Sequence, residues 1–407
     1  MKKNILRLAI ALFIASLNLR PSINSIAPLL ASISTELRMN AAVASLLTSI
    51  PVLCMGILSP IAVKAGGKWG IERVIGLSLW IIGVGTVIRL FTHSVSLLLI
   101  TALIAGVGIA LIGPLLSGFI RLHFPSQVPF MIAVYTVALT LGAALSSWLS
   151  LPLQKLFNSW QDSLACWAII AFISAMIWWM FVNLQVKKTA YTGSEIRKAK
   201  VNLPWRNVKA WIITISFGLM AILFYSFTAW LPQIIQGMGY TKTYAANAFT
   251  LFVIIQVPVS LLLSVLLKKY PSRRLWLIAG SLFELLGLIL LVCNIEPWLA
   301  SALIGIGAGG LMPLNLLLPI DATGDHHEAA AWSAQAQAVG YVIGAAGPII
   351  LGWIYDATDS FRSTVLGMIT IVVLMMIVQI IVTASGRNSV KWKQGRTGHF
   401  NRTELES

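Results

Sequence analysis

The sequence predicts an all-α membrane protein with twelve transmembrane helices arranged as two pseudo-symmetric six-helix bundles. Three observations support this: continuous apolar runs, a low share of charged residues, and an internal repeat that divides the chain in half. The 407 residues are 58% hydrophobic and only 10% charged, with a mean hydropathy of +0.86. A typical soluble domain carries about 25% charged residues. The composition therefore excludes a soluble enzyme, a secreted disulfide-bonded protein and a disordered chain.

The individual spans follow from the length of the apolar runs, since roughly 20 helical residues cross a hydrocarbon core of about 30 Å. The first run is too long for the apolar core of a signal peptide, so we expect it to remain as span 1. We predict twelve spans, numbered in chain order: 6–32, 42–64, 71–91, 95–120, 128–152, 163–186, 208–236, 243–267, 273–294, 297–320, 329–354 and 361–385. An even number places both termini on the same side of the membrane.

The distribution of positive charge predicts the orientation. Of the 29 Lys and Arg residues, 23 lie in the two tails and in the loops after spans 2, 4, 6, 8 and 10, whereas Arg20 lies inside span 1. The five on the opposite side are Arg38, Arg89, Lys155, Lys242 and Arg362. Cytoplasmic loops carry the excess of Lys and Arg. We therefore predict a multi-pass protein of the cytoplasmic membrane with both termini in the cytoplasm. The net charge of +16 then reflects membrane topology and not a nucleic-acid partner.

An internal repeat relates the two halves of the chain. The string SIPV in span 2 corresponds to QVPV in span 8, and AGVGIALIGPL in span 4 corresponds to IGIGAGGLMPL in span 10. At a constant offset of 199 residues, Gly106, Gly108 and Pro114 correspond to Gly305, Gly307 and Pro313. Matches in the same order predict a duplicated six-helix unit, with the copies related by an axis along the membrane normal.

The domain boundaries follow from the repeat and from a basic segment between spans 6 and 7. We predict an N-terminal bundle over 1–186, a cytoplasmic linker over 187–207, a C-terminal bundle over 208–386 and a basic cytoplasmic tail over 387–407.

Arg20 is the most informative residue of the sequence. It lies 13 residues after Arg7 and 16 before Glu36, which places it near the bilayer midplane, roughly 20 Å from either surface at about 1.5 Å per residue. An unpaired Arg at that depth costs at least ~2.5–3.5 kcal/mol. It must face a polar cavity, an acid or a substrate. Its guanidinium suits a carboxylate or a similar anion; the alternative is a fixed salt bridge or carbonyl clamp between helices.

The neighbours of Arg20 favour a cavity. Pro21 lacks an N–H and disfavours a helical conformation at Arg20, so the carbonyl of Leu17 loses its usual partner. Irregular backbone at membrane depth is tolerated only where it is buried in protein or lines a wet cavity. The sequence indicates no second buried Lys or Arg in any span, which favours one negative charge or a neutral polar group as the ligand. Four more polar residues share this segment of span 1: Asn18, Ser22, Asn24 and Ser25.

The same segment carries a family resemblance. The string LNLRPSINSIAPLL resembles the signature of the cyanate/2-nitroimidazole transporter family within the major facilitator superfamily, and the similarity continues through LLTSIPVLCMGILSPIA and GVGIALIGPLLSGFIRLHFP. Asn18, Arg20 and Pro21 match motif positions. The loop KAGGKWGIER departs from the superfamily pattern because its acidic position is missing. The resemblance implies alternating-access transport of a small anion or a small polar aromatic molecule.

The resemblance also implies which spans line the transport pathway, namely spans 1, 4, 5, 7, 10 and 11. The polar and aromatic residues of these spans are candidates for substrate binding. They are Arg20, Asn18, Asn24, Tyr135, Tyr225, Trp230, Asn315, Trp332, Gln335 and Tyr341. The alternative for each is a bond that holds two helices together.

Glu284 is the candidate for proton coupling, because it is the acid that lies deep in a span, between Arg274 and Glu296. Burial favours the protonated form of such a carboxyl group. Ninth spans of the superfamily are usually peripheral, so the alternative is a protonated Glu bonded to a neighbouring helix.

We therefore expect a secondary active transporter, by symport or antiport, of a small anionic or polar solute such as a cyanate-like anion, a small carboxylate or a nitro-heterocycle. The alternative is a proton-coupled multidrug exporter of the same fold, which needs a buried carboxylate in its cavity. We expect a monomer that is not an enzyme, with a small-molecule substrate, the lipid bilayer and protons as its partners. We expect no cofactor, no metal and no nucleic acid, since no nucleotide-binding loop or nucleophile motif is present.

Overall fold

The computed structural model of the protein describes residues 2–182, 203–323 and 326–400. Most of the predicted linker and the last residues of the predicted tail lie outside these ranges. The described residues form helices joined by short turns, with no strand among them.

Twelve helical segments of the described chain are long and apolar enough to cross a membrane, as predicted, and we keep the span numbers. The helices are Lys2–Leu17, Pro21–Asn24, Ala27–Leu29 (3-10) and Leu30–Leu37 in span 1; Ala41–Trp69 in span 2; Ile71–Val87 and Ile88–Phe91 (3-10) in span 3; Val95–His123 in span 4; Pro125–Gln127 (3-10) and Val128–Phe157 in span 5; Trp160–Ala165 and Trp167–Phe181 in span 6; Val208–Gly237 in span 7; Lys242–Lys269 in span 8; Arg273–Val292 in span 9; Pro297–Ala322 in span 10; His326–Thr358 in span 11; and Phe361–Phe400 in span 12.

The helices extend beyond the predicted apolar runs at several ends. Span 2 continues through Lys64 and Lys68 to Trp69, and span 4 continues through Arg121 to His123. The basic residues that the sequence places in loops therefore lie on the last helical turns. Cations at the C-terminal end of a helix interact favourably with its dipole, which explains why the helices do not stop where the apolar residues stop.

Glycines of the repeat pack in the same way in both halves. A Cβ at Gly106 of span 4 would lie 2.7 Å from the Cα of Pro51 in span 2, and a Cβ at Gly305 of span 10 would lie 2.7 Å from the Phe252 carbonyl oxygen in span 8. Small residues allow helix backbones to approach closely where hydrocarbon supplies no driving force for association. Equivalent glycines thus join equivalent helices, as expected for a duplicated unit.

The two halves meet tightly at one end of the molecule. We call the end at which Phe181 and Val208 lie the linker end, and the opposite end the far end. At the far end, both carboxylate oxygens of Asp356 in span 11 accept hydrogen bonds from the first turn of span 2, from Ala41 N at 2.8 Å and Ala42 N at 2.9 Å.

Two further bonds close the far end. Gln233 Nε2 of span 7 donates to the Ala27 carbonyl of span 1 at 2.8 Å, and the hydroxyls of Ser147 in span 5 and Thr250 in span 8 lie 3.1 Å apart. The halves are therefore joined at the far end, and the space between them lies toward the linker end.

Candidate functional site

A cavity of about 2470 Å³ lies between the two halves and reaches the linker end. Spans 1, 2, 4 and 5 form one wall, and spans 7, 8, 10 and 11 form the other. Four cationic side chains line it, those of Arg20, Lys64, Lys68 and Arg121, and none of the described lining residues is Asp or Glu. An apolar-walled cleft with charges of one sign concentrates ligands of the opposite sign.

Arg20 lies at the inner part of this cavity because span 1 is interrupted there. The first helix ends at Leu17, and a new short helix begins at Pro21 with Arg20 as its N-cap. This confirms the interruption that Pro21 predicts. The freed Leu17 carbonyl oxygen points at Gly142 of span 5, where a Cβ would lie only 2.0 Å from it. The glycine lets span 5 approach the break and brings Arg20 to the cavity wall.

The contacts that the structure describes for the Arg20 guanidinium are with aromatic residues. Its Cζ lies 5.2 Å from the centre of the Phe224 ring, in the range of a cation–π interaction. The ion pairs found among the described residues are His123 with Glu72 and Arg273 with Asp321. Within the described part of the chain, Arg20 therefore has no carboxylate partner.

Three tyrosine hydroxyls surround the same cation. Arg20 interacts electrostatically with Tyr135 of span 5, Tyr225 of span 7 and Tyr341 of span 11. Tyr135 and Tyr341 line the cavity. Tyr225 is buried and hydrogen-bonds Arg20, and its hydroxyl lies 3.9 Å from the Met55 sulfur. The site is thus a cation within a ring of aromatic groups drawn from both halves.

Asn18 and Asn24, the other predicted residues of span 1, lie inside the protein. The Asn18 amide donates to the Ile14 carbonyl at 2.8 Å and also bonds Ser174 of span 6. Asn24 is buried, and its Oδ1 has no partner in the described part of the chain. Neither is among the described residues that line the cavity.

Four predicted residues of the second half lie in the core around spans 7, 10 and 11. Trp230 Nε1 donates to the Pro348 carbonyl at 3.0 Å. Asn315 accepts a hydrogen bond from Ser216 Oγ at 2.8 Å. Trp332 and Gln335 are buried, and both amide atoms of Gln335 have no partner among the described residues. These side chains support the helices behind the cavity wall in this conformation.

Glu284, the candidate for proton coupling, is buried between spans 9 and 10 and does not line the cavity. A Cβ at Gly307 would lie 2.5 Å from the Glu284 Cγ. In the first half, a Cβ at the equivalent Gly108 would lie 2.7 Å from Ile82 Cγ1. Glu284 thus occupies a packing position that an apolar residue fills in the other copy, and its Oε2 has no partner in the described part of the chain.

Several cavity residues were missed by the sequence reasoning. Phe224 is one residue before the predicted Tyr225, and only the rotation of span 7 decides which of the two faces the cavity. Lys64, Lys68 and Arg121 were counted as loop charges, whereas they line the cavity mouth. The spacing of Lys64 and Lys68, four residues apart, could have predicted that both lie on one face of a helix that continues beyond the apolar run.

The prediction that Arg20 is the single buried cation is wrong. Arg89 was assigned to an outer loop, but it lies in the 3-10 turn Ile88–Phe91 and has an exposed fraction of 0%. Hydropathy separates spans from loops, but it does not show that the end of span 3 is covered by spans 1 and 6. The packing of these helices buries the residue.

Two six-helix halves around one solvent-connected cavity define a polytopic membrane protein of the transporter class. The family model of the Major Facilitator Superfamily matches residues 8–348. The chain belongs to this superfamily.

Relatives with similar sequences are transporters by name. The chain is 33% identical over 368 residues to the uncharacterized transporter YycB of Bacillus subtilis (strain 168), covering 89% of this chain and 90% of that protein. It is 29% identical over 383 residues to the 2-nitroimidazole transporter of Escherichia coli (strain K12), covering 92% and 95%. It is 28% identical over 366 residues to the cyanate transport protein CynX of the same organism, covering 86% and 91%.

Solved structures share the fold. A bacterial homolog of the human lysosomal transporter Spinster, in an inward-facing and unoccupied conformation, superposes with a TM-score of 0.75 at 14% identity over 95% of this chain and 98% of that chain. A D-xylose-proton symporter superposes with a TM-score of 0.71 at 14% identity over 92% and 97%. These likenesses show that the chain shares the fold of these structures.

Proposed function

We propose that the protein is a secondary active transporter that moves a small anionic or polar solute across the cytoplasmic membrane. The observation that carries this proposal is the charge of the cavity: four cations and no carboxylate among the described lining residues. A guanidinium is always charged, and such a residue at membrane depth is expensive unless it faces a polar cavity or a partner neutralises it. Among the described residues no acid lies beside Arg20, so we infer that the solute is its partner.

The geometry of Arg20 suits a ligand with one negative charge or one strong acceptor. The Arg20 guanidinium contacts the Phe224 ring and hydrogen-bonds Tyr225, and a planar fork of five N–H donors still leaves donors for a ligand. Tyr135 and Tyr341 add hydroxyl groups from opposite walls. A planar or linear ligand that accepts from the guanidinium edge and packs on the rings satisfies all of these groups.

The orientation of the protein follows from its basic residues. The linker end carries Lys64, Lys68 and Arg121, and excess Lys and Arg mark the cytoplasmic side. The cavity then opens to the cytoplasm, and the bonds of Asp356 and Gln233 close the opposite side. This is the inward-open arrangement of an alternating-access cycle, in which the halves rock around the site.

The names of two relatives suggest solutes to test. Cyanate is a linear monovalent anion, and 2-nitroimidazole is a planar ring whose nitro group accepts hydrogen bonds. Both fit a single cation among aromatic groups. The alternative is a proton-coupled exporter of lipophilic cations or neutral compounds, which needs a buried carboxylate in its cavity. The described lining residues include no Asp or Glu.

The proposal is tested by ligand binding to the purified protein and to Arg20→Ala. A ligand that binds the native state raises its stability by RT ln(1 + [L]/Kd), so about 2.7 kcal/mol at 100 times Kd. We expect cyanate, small carboxylates or nitro-heterocycles to raise the Tm of the unmodified protein. In Arg20→Ala we expect the apparent affinity derived from the Tm increase to be at least tenfold lower, because a charge-assisted hydrogen bond contributes about 1.5–3 kcal/mol.

Arg121→Ala is the matched control, because it removes a cation from the mouth of the same cavity and leaves Arg20 in place. An equal loss in both variants would show a general charge effect and not a site at Arg20. Unchanged binding in Arg20→Ala would remove the assignment of the site. Uptake and export by proteoliposomes with the ligand so identified then determine the direction of transport.

A further inference from the structure

Arg89 forms a second cationic centre, separate from the cavity. It lies toward the far end of span 3, fully buried, with Nη2 donating to the Ser22 carbonyl of span 1 at 3.1 Å. Nε and Nη1 have no hydrogen-bond partner in the described part of the chain. The two ion pairs of the described residues do not include Arg89. A wholly buried guanidinium therefore retains free donors and no counter-charge.

Hydroxyl groups of spans 1 and 3 belong to the residues that adjoin this cation along the two helices. The Ser22 and Thr86 side-chain oxygens lie 3.1 Å apart, and Thr86 is one helical turn before Arg89, on the same face of span 3. Ser25 continues the right-handed backbone one turn after Ser22. Its Oγ is also buried without a partner among the described residues. We call Ser22, Ser25, Thr86 and Arg89 the Arg89 cluster.

The cluster has one fixed positive charge, unused donors from two helices and no acid. Buried charges in proteins are paired, because an isolated charge away from water is strongly unfavourable. The guanidinium does not lose its proton to escape this cost. No described residue supplies the missing negative charge, and a small anion from outside the chain would satisfy both the charge and the free donors.

We propose that the Arg89 cluster binds one small monovalent anion of the size of chloride or cyanate. Arg89 supplies the charge and the free N–H groups, and the Ser25 hydroxyl donates a further hydrogen bond. The site differs from the Arg20 site in position: Ser22, the partner of Arg89, is two residues beyond Arg20 along span 1, on the side toward the closed far end. The two cations thus flank the interrupted segment of span 1, one facing the open cavity and one enclosed.

The test measures binding of radioactive chloride to the purified full-length protein by scintillation proximity, with gluconate replacing chloride at constant ionic strength. We expect saturable binding to the unmodified protein. Arg20→Gln removes the cation that faces the cavity and should retain the chloride bound at Arg89. In that background, Arg89→Gln should reduce the apparent affinity for chloride at least tenfold. Equal chloride binding by Arg20→Gln with and without Arg89→Gln would overturn the proposal.

A second variant decides the question if Arg89→Gln does not fold. In the Arg20→Gln background, Ser25→Ala removes the unpartnered hydroxyl and leaves the Arg89 cation in place, and we expect several-fold weaker chloride binding. Unchanged affinity in Ser25→Ala, in a sample that elutes as the unmodified protein does, would contradict the site. Competition in Arg20→Gln then separates two sources of the anion. If cyanate displaces chloride, the Arg89 cluster is a second binding site for the transported solute. If chloride stays bound, the cluster holds a structural chloride ion.

Discussion

The carbonyl oxygen of Leu17 lies against the Cα of Gly142, so close that a Cβ at position 142 would be 2.0 Å from it. The contact exists because Pro21 cannot donate a hydrogen bond to that carbonyl, and the exposed oxygen requires a neighbour without a side chain. Span 5 therefore closes over the break in span 1. The position of Arg20 depends on this approach, and several testable consequences follow from it and from other contacts between the spans.

Gly142→Ala should displace span 1 from span 5 and weaken ligand binding at Arg20 by tenfold or more. Alanine is favoured over glycine in a helix by about 1 kcal/mol, so propensity alone predicts stabilisation. Gly310→Ala is the matched control, since a Cβ at that position would have Leu263 Cδ2 as its nearest neighbour, 4.0 Å away. The measurement is the Kd of the solute together with the Tm of each variant. Tight binding in Gly142→Ala would show that the contact does not position the site.

Asp356→Asn should favour opening of the far end. The carboxylate caps the first turn of span 2, and an anion at an exposed helix N-terminus contributes about 0.3–1 kcal/mol. The population of molecules with an open far end should therefore rise about two- to fivefold. Distances between spin labels on spans 1 and 8 at that end report the change. Asp359→Asn, which removes a charge three residues later, serves as the control and should leave the distribution as it is.

Neutralising the mouth of the cavity should slow capture of the solute. In Lys64→Gln/Lys68→Gln we expect a several-fold higher KM with little change in kcat, because both lysines attract an anion before it reaches Arg20. The difference should shrink at 0.5 M salt, where charges are screened over a few ångströms. Arg206→Gln removes a charge at the same end from a residue that does not line the cavity. A KM that is insensitive to the two lysines at low salt would argue against electrostatic capture.

Glu284→Gln tests proton coupling. Glutamine keeps the volume of the side chain beside Gly307 but cannot carry the proton, so we expect unchanged solute binding and exchange and a loss of acceleration by an imposed pH gradient. Transport in proteoliposomes with and without the gradient measures this. Glu296→Gln, at the far end, is the control. If a pH gradient still accelerates transport by Glu284→Gln, then Glu284 serves only to pack spans 9 and 10 together.

The sequence by itself determined the architecture and the position of the break. Hydrophobic length sets the number of spans, because a bilayer accepts few unpaired backbone groups. The offset of 199 residues between Gly106 and Gly305 predicts the duplicated six-helix unit, and Pro21 predicts the helix break beside Arg20. Each of these features depends on local chemistry along the chain, so a single sequence is enough to predict it.

Only the tertiary structure decided which side chains face the cavity and which are enclosed. Phe224 and Tyr225 are neighbours in sequence, and the rotation of span 7 separates their roles. Arg89 has the sequence context of a loop residue, yet the packing of spans 1 and 6 over the end of span 3 buries it. Helix rotation and the approach of distant helices depend on contacts summed over the whole bundle, and no short segment of the chain encodes them.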